Sequence, residues 1–449
     1  GEPLELDILD DMTFRVRFEN PYGGFPMQLA ITTWKGYSEL IKPAHFLKDY
    51  HTAYTPLADL EEEITEAGLA AGEWWSLFHE KDATNWDLTR IANMDFPTLN
   101  AWMQVDHTET VTRYDRNPYY FKIDEEGQQL PYIDHVRSDV VQNTEQEVLK
   151  IISGEVDFRA EGGLQNLALF KENEDTGGYD TQLMWMHRTN ADPRINLTFE
   201  DETFRLVVRN VDFRRALNMA IDRQEIIDTV YYGFGELPDA VPSEYDPDEA
   251  NRILDDIGMS ARGEDGFRLA PNGEPFSITF ELADNRPDRV PTCELVVEYW
   301  KAVGIDTDMK VIEPSLLGER NNGNLVQAGF GWSHWPAMVW GGPWGELPGD
   351  VWGELWHTWL TTNGEEGEEP PEIVKRDFYV VNRTWVAGPQ ERAELSEEHK
   401  QILYENLWQM HIGQRFRDPV TIKRGLKNVP YDGFGLACNR AWELFYWDV

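Results

Sequence analysis

The sequence predicts an α/β protein built from more than one lobe, and three observations predict it. A strand, a short helix and a glycine turn follow one another between His135 and Gly154, and a strand–helix–strand unit occupies Phe276 to Ile312. The third is size. A chain of 449 residues exceeds the roughly 250–300 residues at which single cores stop growing, and its 41% hydrophobic content is ample for two or three cores.

The elements read off in order. Thr13 to Phe18 (TFRVRF) alternates as a half-buried strand does, and Asn20 to Gly24 is a turn after it. Leu60 to Leu69 reads as an acidic helix and Ser76 to Trp102 as mixed loop and helix. Val111–Tyr114 and His135–Val141 are strands around the Asn117-Pro118-Tyr119-Tyr120 turn, and Gln146–Ile152 is a helix running into Gly154. From about Ile195 helix pairs take over. Asp222 with Glu225 reads as a start like a capping box. Asp246-Pro247 with Glu249 supplies a cap, a proline at the first helical position and an acid in the first turn, and Gly258 closes that helix. Phe276 to Leu282 is a strand, Thr292 to Val303 a helix with Leu295, Val296, Tyr299 and Trp300 on one face, Gly304 its stop, and Ile305 to Ile312 the next strand. Such a helix returning the chain to a parallel neighbour is the right-handed crossover. Gly364 to Pro371 (GEEGEEPP) reads as a surface linker.

Composition narrows the function. The chain carries 81 acidic residues against 40 basic ones, a formal charge of −41. That argues against nucleic acid and anionic membranes, which both need a basic footprint. Acidic runs at Glu61–Glu63, Glu365-Glu366, Glu368-Glu369 and Glu397-Glu398 read as solvated surface. No phosphate loop, dinucleotide fingerprint or H-E-x-x-H is present, and His45, His51, His187, His334 and His357 are scattered, so neither cofactor nor metal is expected. Gly331-Trp332-Ser333-His334-Trp335 starts like a nucleophile elbow but lacks the second glycine, and no enzyme is expected. Cys293 and Cys438 are read as two free thiols.

Tryptophan is the unusual feature. Of 18 in the chain, seven fall between Trp332 and Trp359, interleaved with Gly329, Gly331, Gly341, Gly342, Gly345 and Gly349. Each glycine would cost a helix about 1 kcal/mol relative to alanine, so the stretch before about Val351 reads as a loop presenting rings. Trp352, Trp356 and Trp359, at spacings of three and four, read as core. Indoles present large apolar faces with an N–H at the rim, which suits stacking on sugar rings or gripping apolar peptide side chains. The residues expected to bind ligand are Trp332, His334, Trp335, Trp340 and Trp344.

Four stretches share a family resemblance. Arg215, Ala216, Leu217, Ala220, Ile221, Asp222, Arg223 and Ile226, followed by Tyr245-Asp246-Pro247 through Ala250 and Leu254 to Gly258, are the first. Asn117-Pro118-Tyr119-Tyr120 with Gly127 and Leu130-Pro131-Tyr132-Ile133-Asp134 is the second, Ile152-Ser153-Gly154-Glu155-Val156-Asp157 the third, and Lys427-Asn428-Val429-Pro430 with Glu443-Leu444-Phe445-Tyr446 the fourth. In this order they resemble the extracellular solute-binding proteins of family 5, the oligopeptide and oligosaccharide receptors of ABC importers. The resemblance implies a type II periplasmic-binding-protein fold with discontinuous lobes. Residues 1–105 would form a small extra lobe, 106–192 with 426–449 the first lobe, and 193–425 the lobe that closes over the ligand. Because Gly1 opens the sequence within the pattern, the resemblance also implies a preceding segment that completes the first lobe.

The family's peptide receptors read R-x-x-W-x-x-D near Trp332, where the aspartate holds the peptide ammonium. Here Gly329 and Trp335 stand at the charged positions. Losing the carboxylate argues against ordinary peptide recognition, because an unpaired ammonium is costly to desolvate. The expectation is therefore a monomeric binding protein, partnered by an ABC permease, that captures an oligosaccharide, with an oligopeptide as the alternative and a glycoside hydrolase as a distant one. A periplasmic or other extracytoplasmic location follows from the resemblance, with lipid anchoring through a preceding segment as one form of it.

Overall fold

The structure, a computed structural model, describes residues 4–26, 41–82, 94–141, 143–160, 162–186, 188–239, 241–284, 286–334, 347–349, 351–430 and 442–448. Strands β1 (Glu5–Asp10) and β2 (Thr13–Arg17) form a hairpin, and helices α1 (Leu57–Glu66) and α2 (Trp74–Lys81) follow. A three-stranded antiparallel sheet comes next, β3 (Trp102–His107), β4 (Val111–Arg116) and β5 (His135–Asp139), and then helix α3 (Thr144–Ile152). Strands β6 (Phe158–Arg159) and β7 (Tyr179–Trp185) both lead toward β8 (Arg188–Ile195). Four helices follow: α4 (Glu202–Val208), α5 (Val211–Met219), α6 (Arg223–Thr229) and α7 (Pro247–Leu254). Next come β9 (Ser277–Leu282), α8 (Arg289–Ala302), β10 (Asp306–Val311), α9 (Pro314–Asn322) and β11 (Ala328–His334). Helices α10 (Glu354–Thr361), α11 (Glu372–Val386) and α12 (Pro389–Asn406) precede β12 (Arg417–Lys423), β13 (Leu426–Lys427) and β14 (Tyr446–Trp447).

Two sheets matter for function. One has the order β10-β9-β11-β8, with β9, β10 and β11 parallel and β8 antiparallel to β11. The other, β6-β12-β7, is antiparallel and brings the late strand β12 back beside β6 and β7. The chain therefore crosses between the sheets twice, outward around Met186 and back along 409–416.

The local reasons for these elements are visible. Asp222 accepts from the Glu225 amide at 2.9 Å and Asp246 from the Glu249 amide at 2.9 Å, so both caps are real. Gly258 adopts φ +90° and Gly304 φ +89°, the left-handed stops anticipated from their positions. The Glu225 carboxylate does not reach back as a capping box would; it accepts from the Tyr299 hydroxyl on α8 at 2.7 Å. Helix α8 buries Thr292, Cys293, Val296 and Trp300, while Leu295 and Tyr299 stay half-buried, so its inward face is rotated from the apolar stripe of the sequence. Cys293 is a free buried thiol; Cys438 lies outside the described residues.

The main core gathers residues from 164 to 416, among them Phe213, Ile221, Phe280, Trp300 and Ile412. Trp352 and Trp356 belong to it, and Trp352 stacks on Trp408 at 4.9 Å and 10°. Each such ring buries enough apolar area to contribute about 1.5–3 kcal/mol. Trp359 is half-buried beside the Lys375 ammonium, which lies 5.1 Å from its ring.

Three of the acidic runs are more than solvated surface, and in the first of them Glu63 takes Lys81 at 3.1 Å. Glu368 takes Arg205 at 2.9 Å and Arg209 at 2.6 Å, and Glu398 takes the Arg376 fork at 2.6 and 2.8 Å. Strand β2 departs from its pattern. Its residues are exposed except Val16, because β1 is its only strand partner among the described residues and nothing there buries the hairpin's faces.

Candidate functional site

The carboxyl ends of β9, β10 and β11 and the amino end of β8 lie at one edge of the four-stranded sheet, the edge at which α/β folds place ligands. At that edge β11 runs along β8 in the register Gly331↔Asp192, Ser333↔Thr189 and His334↔Arg188. Between Gly331 and Ser333 the ladder slips, so one extra β8 residue bulges opposite Trp332. Bulges of this kind re-aim a strand end next to sites.

Gly331 is required there. A Cβ at this position would sit 1.9 Å from Cζ of the buried Arg194 guanidinium. Gly329 is nearly as tight, with Val351 at 3.0 Å and the Glu281 carbonyl at 3.3 Å from an added Cβ. A long cationic side chain at 329 would have to displace that packing.

Of the residues expected to bind ligand, Trp332 and His334 are placed by their backbone at the end of β11. Trp335, Trp340 and Trp344 lie outside the described residues.

Beyond this edge, where it faces the second sheet, lies a cavity of about 320 Å³. Gly163, Leu164, Gln165 and Asp418 form the wall on the β6-β12-β7 side, and Met186 lines it at the outward crossover. The opposite wall is the turn after α6, with Tyr231 and Tyr232, and the start of α8, with Asp288, Pro291, Leu295 and Glu298.

These side chains are held by a buried polar frame. The Tyr231 hydroxyl donates to Asp288 at 3.0 Å, and its ring stacks on Phe416 at 3.9 Å and 22°. Burial first, then the charges of Asp288 and Asp192, hold the Tyr231 phenol well above its usual range. Arg223, fully buried, donates to the His411 carbonyl at 2.8 Å and to the Asn218 carbonyl at 2.9 Å. Burial pushes its guanidinium down to about 10, with Asp192 pulling the other way, so it stays charged at neutral pH. Asp192 accepts from the Ile412 amide at 2.8 Å. Together they tie α5, α6 and β8 to the returning crossover. Asp418 accepts from the Gly163 amide at 3.5 Å.

None of the cavity residues was singled out from sequence as a ligand contact; Leu295 was read as part of the apolar face of its helix. The available signal was topological: Pro287, Asp288 and Pro291 immediately follow the carboxyl end of a predicted parallel strand. Among the described residues, no group of three or more His, Cys, Asp or Glu is placed to hold a metal.

The sequence model of the bacterial extracellular solute-binding proteins, family 5 middle region, matches residues 2–345. The chain belongs to this family. A solved oligopeptide-binding protein OppA is 30% identical, covers 99% of this chain and is itself covered over 75%, with a TM-score of 0.62. The periplasmic binding protein MelB of Agrobacterium fabrum C58, solved with stachyose, is 17% identical and superposes with a TM-score of 0.69, covering 99% of this chain and 67% of that one. That likeness is one of fold, and the fold of this family 5 chain is the type II periplasmic-binding-protein fold. The periplasmic alpha-galactoside-binding protein of Rhizobium meliloti is 22% identical over 96% of this chain and 62% of its own length. A probable ABC transporter-binding protein of Deinococcus radiodurans is 24% identical over 44% of this chain. The chain spans 36% and 62% of the length of the Deinococcus and Rhizobium relatives.

Proposed function

We propose that this chain is the solute-capturing component of an ABC importer, taking an oligosaccharide outside the cytoplasm and presenting it to a membrane permease without chemical change. One observation carries the reading: the glycine-interleaved tryptophan segment follows β11 in the chain, and the carboxyl end of β11 lies at the sheet edge where α/β folds place ligands. Capture by hinge closure buries the solute between lobes. Trp332, His334, Trp335, Trp340 and Trp344 are the proposed contacts, with rings stacking on sugar faces.

The proposed lobes are 1–105, 106–192 with 426–449, and 193–425. The pairing of β12 with β6 and β7 supports moving the last boundary from 425 back to about Phe416. The lack of room for a long side chain at Gly329 fits a site without the peptide receptors' charged pair. The alpha-galactoside-binding relative, aligned over 96% of the chain, supports a sugar ligand.

An oligopeptide is the second reading, favoured by the 30% identity to OppA across 99% of this chain. Intrinsic tryptophan fluorescence, titrated with stachyose, cello- and manno-oligosaccharides and a pool of tri- to pentapeptides, separates the two. Saturable change with one sugar series, lost in Trp335→Ala and without product formation, is the expected result. A response to peptides alone would overturn the sugar reading.

A further inference from the structure

The loop that leaves the β1–β2 hairpin docks on the far end of the α11–α12 hairpin, from the opposite end of the chain. We propose that this contact is a latch between the small extra lobe and the lobe that closes over the solute, an inference that rests on the lobe division given above. The Gly23 amide donates to the Val386 carbonyl at 2.7 Å. Gly24 is buried against the same helix end: a Cβ there would sit 1.7 Å from the Trp385 carbonyl oxygen, and one on Gly23 would sit 2.7 Å from Cα of Gly388. Neither glycine is among those with positive φ. Their missing side chains therefore serve the close approach and not the shape of the loop. The loop holds its own shape, because the rings of Phe18, Tyr22 and Phe25 pack on one another with centroids 4.9–5.8 Å apart.

The last carbonyls of a helix lack partners within it. At the end of α11, Arg392 of α12 donates to the Thr384 and Ala387 carbonyls at 3.1 and 3.0 Å, and the Gly23 amide takes that of Val386. Water can replace Gly23 at this half-buried position, so the contact opens without leaving a buried carbonyl unpaired. The arm that carries it is rigid. His399 and Asp377, both fully buried, meet at 2.7 Å, and Arg383 grips Glu391 through two bonds at 2.7 and 3.0 Å, so α11 and α12 move together. Val374, Ile402 and Leu403 seat the base of the arm in the main core, while Val380, Ala387 and Leu395 form a small cluster of their own. Leverage follows. Helix α12 spans 18 residues and ends at Asn406, just before the returning crossover along 409–416. Its length is about 27 Å at 1.5 Å per residue. A rotation of about 15° at the crossover, an ordinary size for a rigid-body movement, carries its far end about 7 Å and undoes the Gly23 bond. The latch thus biases the open–closed balance without touching the solute.

The test uses the full chain and three readouts: X-ray scattering without ligand, hydrogen exchange of the Gly23 amide, and fluorescence titration with stachyose and with the peptide pool. Gly24→Ala removes the room for docking. Gly388→Ala, where an added Cβ meets nothing within 4 Å, is the control and should match the wild type throughout. Gly24→Ala is expected to enlarge the radius of gyration and to speed Gly23 exchange while α8 amides keep their protection. It should also weaken whichever probe the wild type binds by about three- to tenfold, the scale of one backbone hydrogen bond. If Gly24→Ala fails to fold, Gly23→Ala decides by the same readouts. Faster Gly23 exchange with an unchanged radius and an affinity within about twofold means that the loop undocks while the lobes stay put, and overturns the latch. Equal losses in Gly388→Ala overturn it as well. A wild type that binds neither probe counts against the solute reading alone, and scattering and exchange then decide the latch.

Discussion

The lobe around β8–β11 and the stretch before residue 82 are built from similar kinds of residue but hold together very differently. In the first, one core runs from Leu164 to Phe416 and buries whole tryptophans such as Trp300 and Trp352. In the second, among the described residues, helices α1 and α2 share a small core of buried Leu60, Ile64 and Leu77 with Tyr50, Leu69 and Trp74 packed against it, and the β1–β2 hairpin leaves Leu6, Ile8, Met12 and Phe14 exposed. The difference teaches where rigidity resides. Elements seated on the large core keep their shape, whereas elements seated on a small core open locally at low free energy.

The sharpest way to break this comparison is Trp300→Ala. The indole is fully buried and its N–H donates to the Leu217 carbonyl at 3.2 Å. Truncation should cost about 3–5 kcal/mol and shift the whole denaturation curve; a loss below about 1 kcal/mol would show that the core is less continuous than drawn. Leu77→Ala should cost about 2–5 kcal/mol, yet only locally: hydrogen exchange would speed up in α1 and α2 while α8 amides keep their protection. Uniform loss of protection would erase the distinction between the two regions.

Gly331→Ala sets a Cβ against Arg194 and should destabilise by about 1–3 kcal/mol, as overpacking does, while weakening whatever ligand the fluorescence titration identifies. Asp222→Ala removes the acceptor for the Glu225 amide and should lower stability by about 0.5–2 kcal/mol, read from the urea midpoint.

The smallest effect is alkaline. Burial raises the Cys293 thiol, and burial with Asp288 and Asp192 raises the Tyr231 phenol. The folded state holds both protons more tightly than the unfolded one. Their stabilisation is full below the unfolded values, about 8.5 and 10, and is lost as pH rises above them. Urea midpoints should fall between about pH 8.5 and 10.5, and Cys293→Ala should flatten the first part of that fall.

Much of the scaffold was legible before any coordinates. Asp222, Asp246, Gly258 and Gly304 act through neighbours within a few residues, so their roles could be read locally. The strand–helix–strand unit ending at Val311 was legible for the same reason, as was the core role of Trp352 and Trp356 at helical spacing. The cavity was not. Gln165, Tyr231, Asp288 with Leu295, and Asp418 come from four separate segments, and no spacing rule links residue 165 to residue 418.

The sequence by itself determined the α/β class, the caps and stops, the family and the tryptophan-rich segment after β11, because each is carried by short-range pattern. Only the tertiary structure decided that β12 returns beside β6 and β7, that Gly331 is pinned by Arg194, and that Phe416 is clasped between Gly235, Gly413 and Tyr231 at the crossover. Those contacts depend on which distant segments the buried core brings within van der Waals reach, and that is settled by packing the whole chain at once.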